Sequence, residues 1–95
     1  MATQVKYSFI SGSVKPTLEI KWSGFTLETN FTTDSFTVNT GSFDSVTTST
    51  DDVKIVVDTP YTGSVPVTIT PVDTLVKFDD GSTYTLDSSY DIDVQ

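Results

Sequence analysis

Apolar residues alternate with polar ones in short runs along most of the chain. The runs are Val5, Tyr7 and Phe9; Leu18, Ile20 and Trp22; Phe25, Leu27 and Phe31; Phe36 and Val38; Val53, Ile55 and Val57; Val65, Val67 and Ile69; Val76 and Phe78; Tyr84 and Leu86; and Tyr90, Ile92 and Val94. A period of two indicates half-buried β-strands. Eight or nine short strands at this spacing predict two packed sheets or a closed barrel.

A short turn predicts how two of these runs pair. Ser23-Gly24 lies between Trp22 and Phe25 and has the sequence of a two-residue hairpin loop. That loop would place Trp22 opposite Phe25 and Ile20 opposite Leu27, so that the apolar faces of the two strands coincide. We therefore expect all four residues to help form the main core.

Asp79-Asp80-Gly81 predicts a second hairpin, with glycine in the left-handed position. A three-residue loop places Val76 opposite Tyr84 and aligns the apolar faces, whereas a two-residue loop does not. We therefore expect the three-residue loop.

Two other stretches depart from regular alternation. The segment Ser45–Asp52 is rich in Ser, Thr and Asp, and we expect it to be the longest loop. The strand from Val65 to Thr70 contains Pro66, which cannot donate a ladder hydrogen bond, and Pro71 ends it. We therefore expect this strand at a sheet edge.

The composition favours strands over helices. Thr occurs 18 times and Val 12 times, whereas Ala occurs once and Glu twice. β-branched residues pack well in sheets, and Ala and Glu are strong helix formers. We therefore predict one all-β domain over residues 1–95. The expected architecture is an antiparallel β-sandwich of about eight strands, of Ig-like/Greek-key or jelly-roll type, with a barrel as the alternative.

The side chains that most often carry catalysis are missing. The chain has no Cys, no His and no Arg. A thiol nucleophile, a thiolate ligand and an imidazole base are therefore excluded. We predict that the protein is not an enzyme and uses no cofactor and no metal.

The formal net charge is −8, with 13 acidic and five basic residues. A field of this sign repels phosphate backbones and anionic lipids, so neither nucleic acid nor a membrane is the expected partner. The amino terminus, Met1-Ala2-Thr3-Gln4, lacks the basic and apolar segments of a signal peptide. If Met1 is the true start, we expect synthesis in the cytoplasm.

Glu19 and Glu28 form the best candidate for a catalytic pair. The first hairpin would make them cross-strand neighbours roughly 5 Å apart at Cβ, which is about the carboxyl separation in retaining glycosidases. Lys21 would lie diagonal to Glu28 on the same polar face. We favour a solvated strand face and expect no hydrolase activity.

Two further kinds of site, a calcium site and a sugar-stacking platform, have weaker support from the sequence. A calcium site would need six to eight oxygen ligands, whereas turn chemistry explains most of the paired aspartates. The aspartates concerned are Asp51 and Asp52, Asp79 and Asp80, and Asp87 with Asp91 and Asp93. A sugar-stacking platform could use Trp22, Tyr61, Tyr84 and Tyr90. Trp22 lies in a core-facing run, whereas Tyr61 lies in a loop, so we expect Tyr61 to be the aromatic ring that is exposed to solvent.

Partner binding is predicted at two places. The segment Gln4–Ile10 is free of Gly and Pro, and Val5, Tyr7 and Phe9 on it could pair with the exposed edge of a neighbour. The alternative is that this segment is an ordinary internal strand. Tyr61, between Pro60 and Gly63, offers a rigid aromatic anchor.

Small size, Thr/Ser/Asp/Val-rich strands, and the absence of Cys and of a signal peptide occur together here. In this character the chain resembles the small all-β accessory proteins of tailed bacteriophages, such as head decoration (cement) proteins and tail appendages. The resemblance spans the whole chain and assigns no functional residue. It implies a non-enzymatic virion protein that binds a viral capsid or tail protein, often as a symmetric homo-oligomer. The alternatives are a carbohydrate-binding or adhesion module, and an acidic phage-encoded inhibitor of a host protein.

Overall fold

The computed structural model describes residues 6–10, 16–39, 41–58, 67–86 and 88–92, with only the backbone described for residues 6–10. Within these ranges the chain forms nine strands and a 3₁₀ turn at Thr33–Ser35. The strands are β1 Lys6–Ile10, β2 Thr17–Lys21, β3 Phe36–Val38, β4 Phe43–Thr48, β5 Asp52–Val57, β6 Val67–Pro71, β7 Leu75–Lys77, β8 Thr83–Thr85 and β9 Tyr90–Ile92. The all-β prediction is confirmed.

The strands form three antiparallel sheets. One sheet has the order β1-β2-β5-β4, a second has the order β3-β6-β9, and β7 pairs with β8 in a separate hairpin. None of these sheets closes on itself within the described residues, so the sandwich-like alternative holds and the barrel does not. The buried side chains of all three sheets form one apolar cluster. Its members are Leu18, Ile20, Trp22, Phe31, Phe36, Val53, Ile55, Val57, Val67, Ile69, Val76, Phe78, Leu86 and Ile92.

The turn at Ser23-Gly24 forms, but the hairpin predicted around it does not. The Phe25 amide donates to the Trp22 carbonyl at 3.2 Å, and Gly24 has a φ of +86°. β2, however, pairs with β1 on one side and with β5 on the other. Because both edges of β2 are occupied, residues 25–31 cannot add to it and cross towards β7 instead.

The crossing segment is held by backbone hydrogen bonds to other elements. The Leu27 amide donates to the Thr50 carbonyl at 2.7 Å, and Leu27 forms an isolated bridge with Phe78. The predicted pairing of Ile20 with Leu27 is therefore wrong. Their expected contribution to the core holds in part, because Trp22 and Ile20 are fully buried, whereas Phe25 and Leu27 are partly buried against the cluster.

The prediction of a long loop over Ser45–Asp52 is wrong. Most of that segment belongs to β4, which pairs with β5 so that Val46 lies opposite Ile55 and Thr48 opposite Val53. A segment rich in Thr and Ser has the composition of a loop, but β-branched Thr is also frequent in β-strands. The remaining turn is tight, with the Ser49 amide donating to the Asp52 carbonyl at 2.7 Å.

The prediction that the proline-containing strand lies at an edge is also wrong. β6 is the central strand of its sheet, with Val67 opposite Ile92 and Pro71 opposite Phe36. Pro66 lies outside the described residues, and Pro71 is the last residue of β6. The interior of the paired strand is therefore free of proline, which removes the physical reason for an edge position.

The hairpin around Asp79-Asp80-Gly81 is confirmed. β7 and β8 pair with Val76 opposite Tyr84, as a three-residue loop requires. Gly81 has a φ of +89°, a backbone conformation that residues other than glycine rarely adopt. The Ser82 amide donates to the Asp80 carboxylate at 2.9 Å, and the Ser82 hydroxyl donates to the same oxygen.

These two hydrogen bonds predict a testable pH effect. The Ser82 hydroxyl, and secondly the Ser82 amide, hold the pKa of Asp80 below its ordinary value of 3.8. Because the folded state favours the charged form, this stabilisation is present above the unfolded pKa and is lost as the pH falls through the lower folded pKa. The substitution Ser82→Ala should raise the pKa of Asp80, as followed by NMR titration of its carboxyl carbon. Thr83→Ala is the matched control, and an unchanged midpoint in Ser82→Ala would contradict the assignment.

Candidate functional site

The amino-terminal residues proposed for partner binding fall partly on β1. Tyr7 lies opposite Ile20 and Phe9 opposite Leu18 in the ladder between β1 and β2. This register is that of an ordinary sheet strand, and β1 is the first strand in the order of its sheet. Val5 and Tyr61 lie outside the described residues. Partner binding by these four residues stays a prediction.

The two glutamates that could have formed a catalytic pair are not cross-strand neighbours. Glu19 lies opposite Lys54 on β5 and opposite Ser8 on β1. Glu28 lies on the crossing segment, where its amide donates to the Lys77 carbonyl at 2.8 Å. The proximity expected from the first hairpin is therefore wrong, since the pairing on which it depended does not form.

Trp22 is a core residue and not part of a sugar-stacking surface. Its ring stacks on Phe31 at a centroid distance of 6.1 Å and meets Phe78 and Tyr84 edge-on at 6.0 and 6.3 Å. The side chain is fully buried, and its indole Nε1 has no hydrogen-bond partner among the described residues. Tyr84 and Tyr90 are half-buried against the same cluster.

The loop between β6 and β7, together with the first residue of β7, presents two aliphatic side chains to solvent. Val72 is 55% exposed and Leu75 is 49% exposed, and they are the large apolar side chains that stand out as exposed among the described residues. The loop backbone is fixed, because the amides of Val72 and Asp73 both donate to the Ser35 carbonyl, at 2.8 and 3.2 Å. The two side chains are thus carried on an ordered support.

Ser35 is itself held in place by the 3₁₀ turn. Its hydroxyl accepts from the Thr32 amide at 3.0 Å, and the Thr32 hydroxyl accepts from the Asp34 amide at 3.3 Å. These reciprocal bonds form a capping box, which satisfies amides at the start of the turn. The carbonyl that anchors the loop between β6 and β7 is therefore rigidly placed.

A shallow groove of about 150 Å³ adjoins this loop. It is lined by Thr70, Pro71, Thr74, Leu86, Ser88 and Ser89. Its apolar lining comes from Pro71 and Leu86, and the other four residues supply hydroxyl groups. The hydroxyls of Thr70 and Ser89 lie 2.9 Å apart and share a hydrogen bond. Small-molecule sites usually measure about 300–1,000 Å³, so this groove suits a single side chain better than a substrate. Val72, Leu75 and the groove are called the β6–β7 surface below.

Acidic residues predominate in the part of the chain that carries the β6–β7 surface. Residues 33–39, 67–86 and 88–92 contain five carboxylates and a single lysine, Lys77. The carboxylates belong to Asp34, Asp73, Asp79, Asp80 and Asp91. The other described ranges, 6–10, 16–32 and 41–58, contain six carboxylates and three lysines, so acidic residues predominate there as well. The side chain of Lys21 lies 3.7 Å from Asp51 in a surface ion pair.

Sequence reasoning did not identify the β6–β7 surface. One signal was present, because the inward positions of Val76 and Phe78 leave Leu75 on the outward face of β7. The groove gave no such signal, since Pro71 and Leu86 come from separate segments that only the fold brings together.

Among the described residues, no group of three or more Asp or Glu side chains is placed to hold a metal ion. The part of the chain that the structure describes also contains no helix long and apolar enough to span a membrane. The chain matches no protein-family model, and neither a curated protein nor a solved structure is significantly similar to it.

Proposed function

We propose that this chain is a non-enzymatic structural module of a virion, which binds a viral protein lattice as a capsid decoration (cement) protein or as a tail-associated protein. The observation that carries the proposal is the exposure of two aliphatic side chains, Val72 in the loop after β6 and Leu75 at the start of β7, close to a groove of the size of one side chain. Apolar groups held in this way are typical of a surface that docks onto another protein. The strand-rich, acidic character of the chain supports the phage comparison made from the sequence.

The two alternative functions have less support. A carbohydrate-binding module would stack sugars on exposed aromatic rings, but Trp22 is fully buried and no aromatic residue in the described part of the chain lines the groove. An inhibitor that acts by acidic mimicry would concentrate its carboxylates on one face. The described carboxylates occur on more than one sheet, with Glu19 on β2 and Asp91 on β9.

Purified virions test the proposal directly. The experiment adds labelled protein to gradient-purified particles of the phage that carries the gene, after removal of the native copies, and follows co-sedimentation. We expect saturable binding at a fixed ratio to the major capsid or tail protein, and peptides of the chain in untreated virions by mass spectrometry. Absence from virions together with no binding to stripped particles would refute the virion assignment.

A further inference from the structure

We propose that the β6–β7 surface is the docking site, and that it binds an extended protein segment in which an aliphatic side chain is flanked by Lys or Arg. This inference rests on the proposed function, because it names the surface and the partner chemistry of the same binding event. The partner's aliphatic side chain enters the groove, while Val72 and Leu75 pack against the adjacent residues of the partner segment.

The apolar part of the surface is arranged as an interface anchor requires. Val72 and Leu75 are about half exposed, so binding can remove their remaining apolar area from water without unfolding the loop. Because Ser35 fixes the backbone of Val72 and Asp73, little conformational entropy is lost when a partner binds. A volume of roughly 150 Å³ accommodates one small apolar group, as an engineered cavity of that size does for benzene.

The polar part of the surface fits an extended backbone. Thr70, Thr74, Ser88 and Ser89, which carry hydroxyl groups, line the groove together with the apolar Pro71 and Leu86. Each hydroxyl can both donate and accept, so these groups can satisfy the amides and carbonyls of a peptide laid across the groove. A partner side chain would thus be buried without leaving the partner's backbone polar groups unpaired.

Charge decides between a basic partner and a second copy of this chain. Asp73 lies within the loop, and Asp34 precedes the Ser35 that anchors it. A second copy would bring a further net charge of −8 against these carboxylates. Repulsion of this kind opposes self-association, whereas Lys or Arg beside the partner's aliphatic residue would be attracted and steered to the surface. A basic partner segment is therefore the committed occupant.

A defined peptide provides the first test. The probe is an acetylated, amidated peptide of alternating Lys and Leu, titrated into the full ¹⁵N-labelled chain. We expect shifts in the amides of Val72, Asp73, Thr74, Leu75 and Leu86, and weaker binding at higher salt. Peptides with Glu in place of Lys, or with Ser in place of Leu, should bind about ten-fold more weakly or not at all.

Two variants of the chain sharpen this test. The double substitution Val72→Ser and Leu75→Ser should weaken binding of the Lys/Leu peptide about ten-fold, and it should lower the melting temperature but leave the chain folded, because both side chains are already half exposed. Val56→Ser on the outer face of β5 is the matched apolar control. Asp73→Asn should weaken binding in a salt-dependent manner, whereas Glu19→Gln, the same charge change on β2, should not.

The same variants separate this inference from the proposed function. If the native chain binds stripped virions and the Val72/Leu75 double variant, still folded, binds equally well, the docking site is wrong and the virion role stands. If the native chain ignores virions but binds the peptide at the β6–β7 surface, the site stands and the virion role is wrong. Amide shifts confined to the β1-β2-β5-β4 sheet, or equal binding of the Glu-containing peptide, would overturn the inference.

Discussion

Replacement of Trp22 by alanine should lower the free energy of unfolding by about 3–5 kcal/mol, the usual cost of emptying a large aromatic site in a core. The Trp22 side chain is fully buried, and it contacts the rings of Phe31, Phe78 and Tyr84. Those three residues belong to different parts of the chain, so the cavity would loosen contacts between elements. Urea unfolding followed by circular dichroism measures the change.

Two control variants distinguish lost packing from lost polarity. Trp22→Phe should cost less than Trp22→Ala, because it keeps an aromatic ring and removes an indole N–H that has no partner. Phe25→Ala should also cost less, since Phe25 is only partly buried against the cluster. A loss below about 1 kcal/mol for Trp22→Ala would show that the residue does not occupy the core position described.

The burial of Trp22 could be predicted from the sequence because alternation reports which face of a strand is apolar. The same local reasoning predicted the β7–β8 hairpin, where the loop length and the apolar faces of Val76 and Tyr84 require the same register. Both results depend on residues that are close in the chain.

The partners of β2 could not be predicted in this way. Leu18 lies opposite Ile55 and Phe9, and Ile55 is far away in the sequence. Alternation gives no information on which distant strand will fill an edge, and Ser23-Gly24 is compatible with both a hairpin and a simple turn. A pairing with the segment after the turn was therefore inferred, whereas β2 pairs with the preceding strand β1 and with the distant strand β5.

The docking surface was missed for a related reason. Its groove combines Pro71 at the end of β6 with Leu86 just after β8 and Ser88 and Ser89 before β9. Composition suggests only that Ser and Thr are solvent-exposed there. These Ser and Thr residues become part of a groove only when the fold places them beside Pro71 and Leu86, next to a loop that Ser35 holds in place.

Deletion of Met1–Ile10 should lower the free energy of unfolding by about 3 kcal/mol, because it removes the strand beside Leu18 and Ile20, and burial of one such side chain contributes roughly 1.5–3 kcal/mol. Both residues are fully buried, and β1 pairs with β2 through five consecutive residues. A small domain has only about 5–15 kcal/mol of total stability, so this loss removes a large fraction of it, and the truncated chain should unfold at a much lower urea concentration. Circular dichroism and urea titration measure this directly.

The outcome also decides what β1 is for. A shorter deletion of Met1–Gln4 leaves every β1 residue in place and is the matched control. If only the longer deletion unfolds the chain, and a synthetic peptide spanning β1 restores the fold when added in trans, β1 is a structural strand, and docking depends on surfaces elsewhere. If the longer deletion instead keeps the native stability and abolishes binding to virions, β1 is a docking arm, as the partner role predicted for Tyr7 and Phe9 requires. The pairing of β1 with β2 leads us to expect the first outcome, since a strand engaged in its own sheet cannot be removed without exposing the edge of its neighbour.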